Sequence, residues 1–184
     1  MKSHAYSETF VLKNGTVVTL RLPRIKDVKQ VTDYANTLSQ EDTYITLSGE
    51  TLTEKEEHKY LTHSIEEIRR NNRITIMAFS GETLVSMGSI ERVTTSRKRS
   101  LHVGTLHISV RREFRSLGLG EKVVSSLIQL SKGNYKLLML SVFAINSAAR
   151  SLYSQAGFKE AGAIPGAIWY KGNYTDKIIM YLPL

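Results

Sequence analysis

Hydrophobic and polar positions along the chain change period several times, and each change marks an element. The first segment, "TFVLKNGTVVTLRLP", places β-branched runs on either side of Asn14-Gly15, which predicts a hairpin closed by a two-residue turn. In "IKDVKQVTDYANTL" the apolar positions Val28, Val31, Ala35 and Leu38 recur at helical spacing. A second helix is predicted to start at Thr53, where Thr53 and Glu56 form a capping-box pattern ahead of a stripe of Leu61, Ile65 and Ile68. The pattern then alternates. "RITIMAFS", a Gly81-Glu82 turn and "TLVSMGSIERV" read as paired strands, and "LHVGTLHISV" follows a basic loop as the third strand of a meander. "VRREFRSLGLGEKVVSSLI" returns to helical spacing, with Val123, Val124, Leu127 and Ile128 on one face. "YKLLMLSVF" is continuously apolar, as a strand buried on both faces and paired in parallel would be. "NSAARSLYSQA" is helical and stops at Gly157, and "GFKEAGA" and "DKIIMYLPL" finish the chain as strands. The order predicts one α/β domain over residues 1–184 with a mixed central sheet.

Length and composition agree with that reading. A chain of 184 residues, 41% hydrophobic and 23% charged, can bury a real core. No apolar run reaches the ~18 to 20 residues of a membrane span, and "MKSHAYSETF" lacks the basic and apolar regions of a secretory signal. The absence of cysteine removes disulfides and thiolate metal ligands. No metal site is expected, and a cytoplasmic location is the default. The formal net charge of +8 fits three partners: nucleic-acid phosphates met by clusters such as the run "RKR" at residues 97–99, plain solvent, or a small ligand with several phosphates. Composition alone does not choose among them.

The two glycines at the start of the third helix narrow the choice. A P-loop ends in Gly-Lys-Ser/Thr, which Gly120-Glu121-Lys122 does not supply. A dinucleotide fingerprint needs a third glycine where Val123 stands and an acidic partner near residues 138–141, where there is none. What remains is Arg115-x-x-Gly118-x-Gly120. Here the backbone N–H groups of Leu117, Gly118, Leu119 and Gly120 would point outward at a helix start, a site that binds a pyrophosphate. Arg115 would add a charge-assisted contact. The competing reading is a glycine-rich connector with incidental arginines. About thirty residues on, Asn146 and Tyr153 share one helical face, and Ala148 and Ala149 keep that helix slim.

With both motifs in view, the chain resembles the GNAT superfamily of acyl-CoA-dependent N-acyltransferases over nearly its whole length. The resemblance rests on "VRREFRSLGLG" and "INSAARSLYSQAGF" at this spacing. It implies a mixed, largely antiparallel central sheet flanked by helices, with two strands splayed to hold acetyl-CoA. Backbone of Ser109 and Val110 would bond the pantetheine as an added strand does. The glycine loop would hold the pyrophosphate, with Arg111, Arg112 and Arg115 nearby. Tyr153 occupies the family's position for the general acid that protonates the departing thiolate. Asn146 would contact the pantetheine or order water; as Asn at a helix start it also suits an N-cap.

The general base is left open among Glu91, His102 and His107. Strand parity groups His107 with Ser109 and opposes His102, so at most one of the two histidines should face the cleft. Family members differ mainly in the first two helices and the last hairpin, which line the acceptor side. In this chain those helices carry "SQEDTY", "TEKEEHKY" and "IEEIRR", which would attract a cationic amine or simply face solvent. Trp169 and Tyr170 would wall the acceptor site or pack. The implied activity is acetyl transfer to a primary amine of a small molecule or peptide. The alternative is a non-catalytic acyl-CoA-binding or nucleic-acid-binding module on the same fold. The Tyr153–Asn146 pair favours the enzyme and weighs against a pure nucleic-acid binder. Homodimers are common in the family.

Overall fold

The computed structural model describes residues 6–41, 43–45, 47–95 and 97–184. Strands β1 (Ser7–Val11) and β2 (Val17–Arg21) are followed by helices α1 (Val28–Gln40) and α2 (Glu54–Arg69). Next come β3 (Arg73–Ser80), β4 (Thr83–Arg92), β5 (Val103–Val110), α3 (Leu119–Ser131), β6 (Leu137–Phe143), α4 (Ser147–Gln155), β7 (Lys159–Tyr170) and β8 (Asn173–Pro183). The eight strands form one sheet in the order β1-β2-β3-β4-β5-β6-β8-β7. Every neighbouring pair is antiparallel except β5 and β6. This is the α/β domain with a mixed sheet that the periodicities predict, largely antiparallel as the resemblance implies. Among the described residues no helix is long and apolar enough to cross a membrane.

Local signals act where they stand. Thr53 Oγ1 accepts the Glu56 N–H at 3.3 Å, and the Glu56 carboxylate takes the Thr53 N–H at 2.8 Å, which closes the capping box of α2. Gly157, at φ 96°, ends α4 in the left-handed conformation that L residues avoid. Two turns differ from the pattern. The β1–β2 connection is a three-residue loop, Lys13-Asn14-Gly15, because Leu12 N–H already pairs with Thr16 O at 2.8 Å. Gly15 takes positive φ at the last loop position, as three-residue hairpin loops require. The last hairpin runs further than "GFKEAGA", with Tyr170 pairing Asn173 across a Lys171-Gly172 turn. Its register slips between Ile164 and Ile168, where Pro165 has no N–H to donate.

Each face of the sheet carries a core. On one face α3 packs Val123, Val124 and Leu127 against Ile90, Leu106 and Leu138. It lies close because β4 presents glycine there, and a second glycine, on β5, makes room for Tyr135 just after the helix. A Cβ on Gly88 would meet Leu127 Cδ1 and Val123 Cγ1 at 2.8 Å, and one on Gly104 would meet the Tyr135 ring at 2.8 Å. Gly104→Val is therefore expected to cost about 1–3 kcal/mol through overpacking and to lower the melting temperature by several degrees in a thermal melt. On the other face α1 and α2 bury Val31, Tyr34, Leu38 and Leu61 against Met77, Phe79 and Leu84. The buried stripe of α1 thus includes Tyr34, which the aliphatic spacing does not reveal.

The feature that positions the site is a short parallel ladder. β5 and β6 pair only at Val103–Leu137, Gly104–Leu138 and Thr105–Met139. Beyond that β5 stays on β4 as far as Val110, and β6 stays on β8 as far as Phe143. Each strand is held by its outer neighbour, so a gap opens between them toward their C-terminal ends. The basic run at residues 97–99 lies in the β4–β5 connection, at the opposite end of those strands.

Candidate active site

The gap widens into a cleft of about 1480 Å³ lined by β4, β5, β6, the glycine turn, α4, the α1–α2 connection and the β7–β8 hairpin. After β5 the chain makes a short 3-10 turn at Arg112–Phe114 and reaches Gly118, which caps α3 at φ 89°. The Lys122 N–H donates to Gly118 O at 3.1 Å, the first bond of the helix. The N–H groups of Leu119, Gly120 and Glu121 are therefore the orphan donors of the first turn. The Leu119 side chain is wholly buried and anchors the turn. Leu117 packs on the same core, and its carbonyl accepts the Lys13 N–H at 3.3 Å. A Cβ on Gly120 would lie 3.3 Å from Leu152 Cδ2, so glycine here lets α3 and α4 approach closely.

The arginines of the turn are structural ties. Arg115 Nε donates to Val110 O at 2.9 Å, and its Nη2 pairs with the Glu41 carboxylate. Glu41, its side chain 9% exposed, also accepts the Arg112 N–H at 3.1 Å. Arg111 Nε donates to Leu84 O at 2.9 Å. Arg115 still lines the cleft, and Lys13, from the β1–β2 loop, adds a second cation there. Its Cε lies 3.8 Å from where a Cβ on Gly118 would sit, and its Nζ has no ion-pair partner among the described residues. The sequence pattern does not point to Lys13, because nothing local to "KNG" signals a neighbour a hundred residues on.

Ser109 and Val110 form the β5 lip of the cleft. The Ser109 hydroxyl bonds the Tyr34 hydroxyl at 2.8 Å, and its carbonyl accepts from Ser86 Oγ at 2.7 Å. Ser109 pairs Met87 in the β4 ladder, so its backbone groups face β4, whereas Val110 turns its backbone toward the gap, its carbonyl taking Arg115 Nε on one lone pair. Asn146 and Tyr153 both line the cleft. Asn146 Oδ1 accepts the Ala149 N–H at 3.1 Å, so it does cap α4. Tyr153 is 7% exposed and meets Phe158 edge-on at 6.0 Å. Its hydroxyl has no hydrogen-bond partner among the described residues, and burial pushes its pKa up to about 12.

The three candidate bases separate clearly. Glu91 is bound by Arg73 Nη2 at 3.0 Å and receives Ser89 Oγ at 3.3 Å. His102 precedes β5, outside the cleft, where its carbonyl takes the Lys136 and Leu137 N–H groups. His107 faces the cleft, as its parity with Ser109 predicts. The surrounding walls pull its pKa down; Glu91 opposes that shift and Arg73 adds to it.

On the far wall Tyr44, Phe143 and Tyr170 form a triangle of rings with centroids 5.3–5.6 Å apart. Trp169 also reaches the cleft but is 62% exposed and stacks edge-on with Tyr174 at 4.9 Å. The acid-rich helices do not deliver their charge here. Glu41 is tied to arginines and Glu56 closes a cap. Glu57 is buried, with its pKa raised by that burial and by Glu56. The described carboxylates lining the cleft are Glu91 and Glu121.

Residues 38–158 match the Acetyltransferase (GNAT) family. The chain belongs to that family of acetyltransferases. Among solved structures, the GNAT-family acetyltransferase from Streptococcus pneumoniae superposes with a TM-score of 0.81 at 26% identity, over 91% of this chain and 99% of that one. The ribosomal-protein-S5-alanine acetyltransferase from Vibrio fischeri gives 0.81 at 16% identity, over 97% of each chain. The yncA protein from Salmonella typhimurium, solved with acetyl-CoA, gives 0.77 at 17% identity, over 91% of this chain and 94% of that one. At such identities the last two show a shared fold only. No curated protein matches the chain.

Proposed function

We propose that the chain acts over residues 1–184 as one cytoplasmic N-acetyltransferase domain, moving an acetyl group from acetyl-CoA to a primary amine of a small molecule or peptide. The observation that carries this is the continuous path from the parted β5 and β6 to the first turn of α3, with Tyr153 on its wall. A pantetheine arm fits a gap whose lip offers strand backbone at Val110; the Ser109 backbone, expected from the sequence to share that role, is taken up by β4. A pyrophosphate fits the N–H groups of Leu119, Gly120 and Glu121, with Lys13 beside them.

The chemistry assigns roles to two side chains. A free alkylamine has a pKa near 10.4 and must lose a proton before it attacks the thioester carbon. His107, held neutral by its lowered pKa, is the available acceptor, whereas the Glu91 charge is already shared with Arg73. The C–N bond forms, the attacking nitrogen gives its second proton to solvent, the C–S bond breaks, and the departing sulfur, whose thiol pKa is near 8.5, takes the Tyr153 proton. Solvent restores that proton.

Three outcomes are expected. Purified protein should show a rise in melting temperature with acetyl-CoA, by linkage, and should release CoA thiol when a suitable amine is added. A thermal shift without thiol release across an amine panel would favour a binding module instead. Lys13→Ala should weaken acetyl-CoA binding about three- to tenfold, less at high salt, since the contact is charged and exposed. His107→Gln should remove the acid limb of kcat/KM, which in the unaltered protein should fall below the ordinary histidine value of 6.5. An unchanged limb in that variant would strike His107 from the role.

A further inference from the structure

Cross-strand register places the acceptor-side groups on successive rungs of one sheet face. The deepest rung holds Arg73, Glu91, Thr105, Met139 and Tyr181. The next holds Thr75, Ser89 and His107 on one side of the gap, with Ser141 and Ile179 on the other. The third holds Met87 and Ser109, and across the gap Phe143 and Lys177. Rungs that share a face are about 6.6–6.8 Å apart along the strands. Glu91 thus lies one rung deeper on the neighbouring strand β4, and Lys177 lies one rung nearer the mouth on β8, across the gap and beyond β6.

These two charges are not equivalent. Glu91 is neutralised by Arg73, which is itself 7% exposed and spends further donors on Tyr60 and Thr75. Lys177 is half-buried, lines the cleft and has no ion-pair partner among the described residues. Its strand neighbours are Phe143 and Ile164. Asp176 is the next residue but lies on the opposite face of β8, where it takes the Gly166 N–H at 2.9 Å. An ammonium flanked by apolar groups is poorly solvated and gains most from an anion brought to it. The phosphates of the co-substrate do not supply one, because the glycine turn that suits them follows the other strand of the gap.

We infer that the acceptor is an α-amino acid with a large apolar or aromatic side chain: its carboxylate meets Lys177, its amine stands at the His107 rung, and its side chain packs on Tyr44, Phe143 and Tyr170. This rests on the acetyltransferase reading above. It replaces the attraction of a cationic amine that the acid-rich helices suggest, since those acids do not line the cleft and Lys177 repels a polycation.

The test is thiol release from acetyl-CoA with all twenty amino acids, each against its amide, plus phenethylamine and spermidine. The free amino acid should exceed its amide and the decarboxylated amine in kcat/KM by about tenfold, the scale of one charge-assisted contact. Lys177→Ala should erase that preference by slowing the amino acid alone, and Lys177→Arg should keep it, with the acetyl-CoA thermal shift unaltered in both. Equal rates for acid and amide, a preference for spermidine, or no turnover of any amino acid would overturn the inference. So would a loss of acetyl-CoA binding in Lys177→Ala. If acetyl-CoA gives no thermal shift in the unaltered protein, the acetyltransferase reading itself fails, which is a different result from a shift without the carboxylate preference.

Discussion

Tyr153→Phe should lower kcat about 100-fold, within the range of a lost general acid, while acetyl-CoA affinity stays within about twofold of the unaltered protein. The expectation follows from what the hydroxyl does and does not touch. The ring is buried against Phe158 and Phe keeps that contact, so packing survives. The hydroxyl has no protein partner among the described residues, so its removal leaves no buried group unsatisfied and the melting temperature should hold. What is lost is one proton donor at the wall of the gap. Its raised pKa, about 12, means that the donor stays protonated throughout the working range. Stability follows the same sign: with the folded pKa above the ordinary 10.0, the contribution of this group is complete below pH 10 and is lost between there and about 12. A burst experiment that separates acetyl transfer from product release would locate the defect. An unchanged kcat would remove Tyr153 from the acid role.

The second large effect is expected at Gly118. Its φ of 89° lies in the left-handed region, at the N-cap of α3. An L side chain there costs about 1–2 kcal/mol, and a β-branched one is the least tolerated. Gly118→Val should therefore re-aim the turn, and with it the N–H groups of Leu119, Gly120 and Glu121. Acetyl-CoA affinity should fall more than tenfold, a loss of at least ~1.4 kcal/mol. Gly118→Asn, a residue that tolerates this conformation, should retain most of the binding. The readout is an acetyl-CoA titration by thermal shift, with far-ultraviolet circular dichroism to show that all three proteins fold. Equal affinity in the valine variant would mean that this turn does not cradle the pyrophosphate.

The glycine turn and the α4 face are legible in the sequence because both are local. Gly118 and Gly120 sit two residues apart, and Asn146 and Tyr153 two helical turns apart, so short-range geometry brings each pair together. The same holds for the Thr53 capping box, the Gly157 stop and the interior place of β6 between β5 and β8, although β6 is buried on one face only, because its other face, with Ser141 exposed, lines the cleft. The last hairpin is legible only in part. Its extension past "GFKEAGA" depends on a cross-strand register that tolerates a slip at Pro165.

Element order, the mixed sheet and the positions of the turn and of Tyr153 thus follow from the chain's own pattern. Periodicity, capping and backbone conformation act over a few residues, and a linear sequence displays them. The destination of each charge is a property of the folded sheet. Folding ties Arg115 to Glu41 and Glu91 to Arg73, brings Lys13 to Gly118, and leaves Lys177 without a described counter-ion in the cleft. A charged side chain reads the same in sequence whether it is paired, solvated or waiting for a ligand. Which of these it becomes depends on groups that only the folded sheet brings within reach.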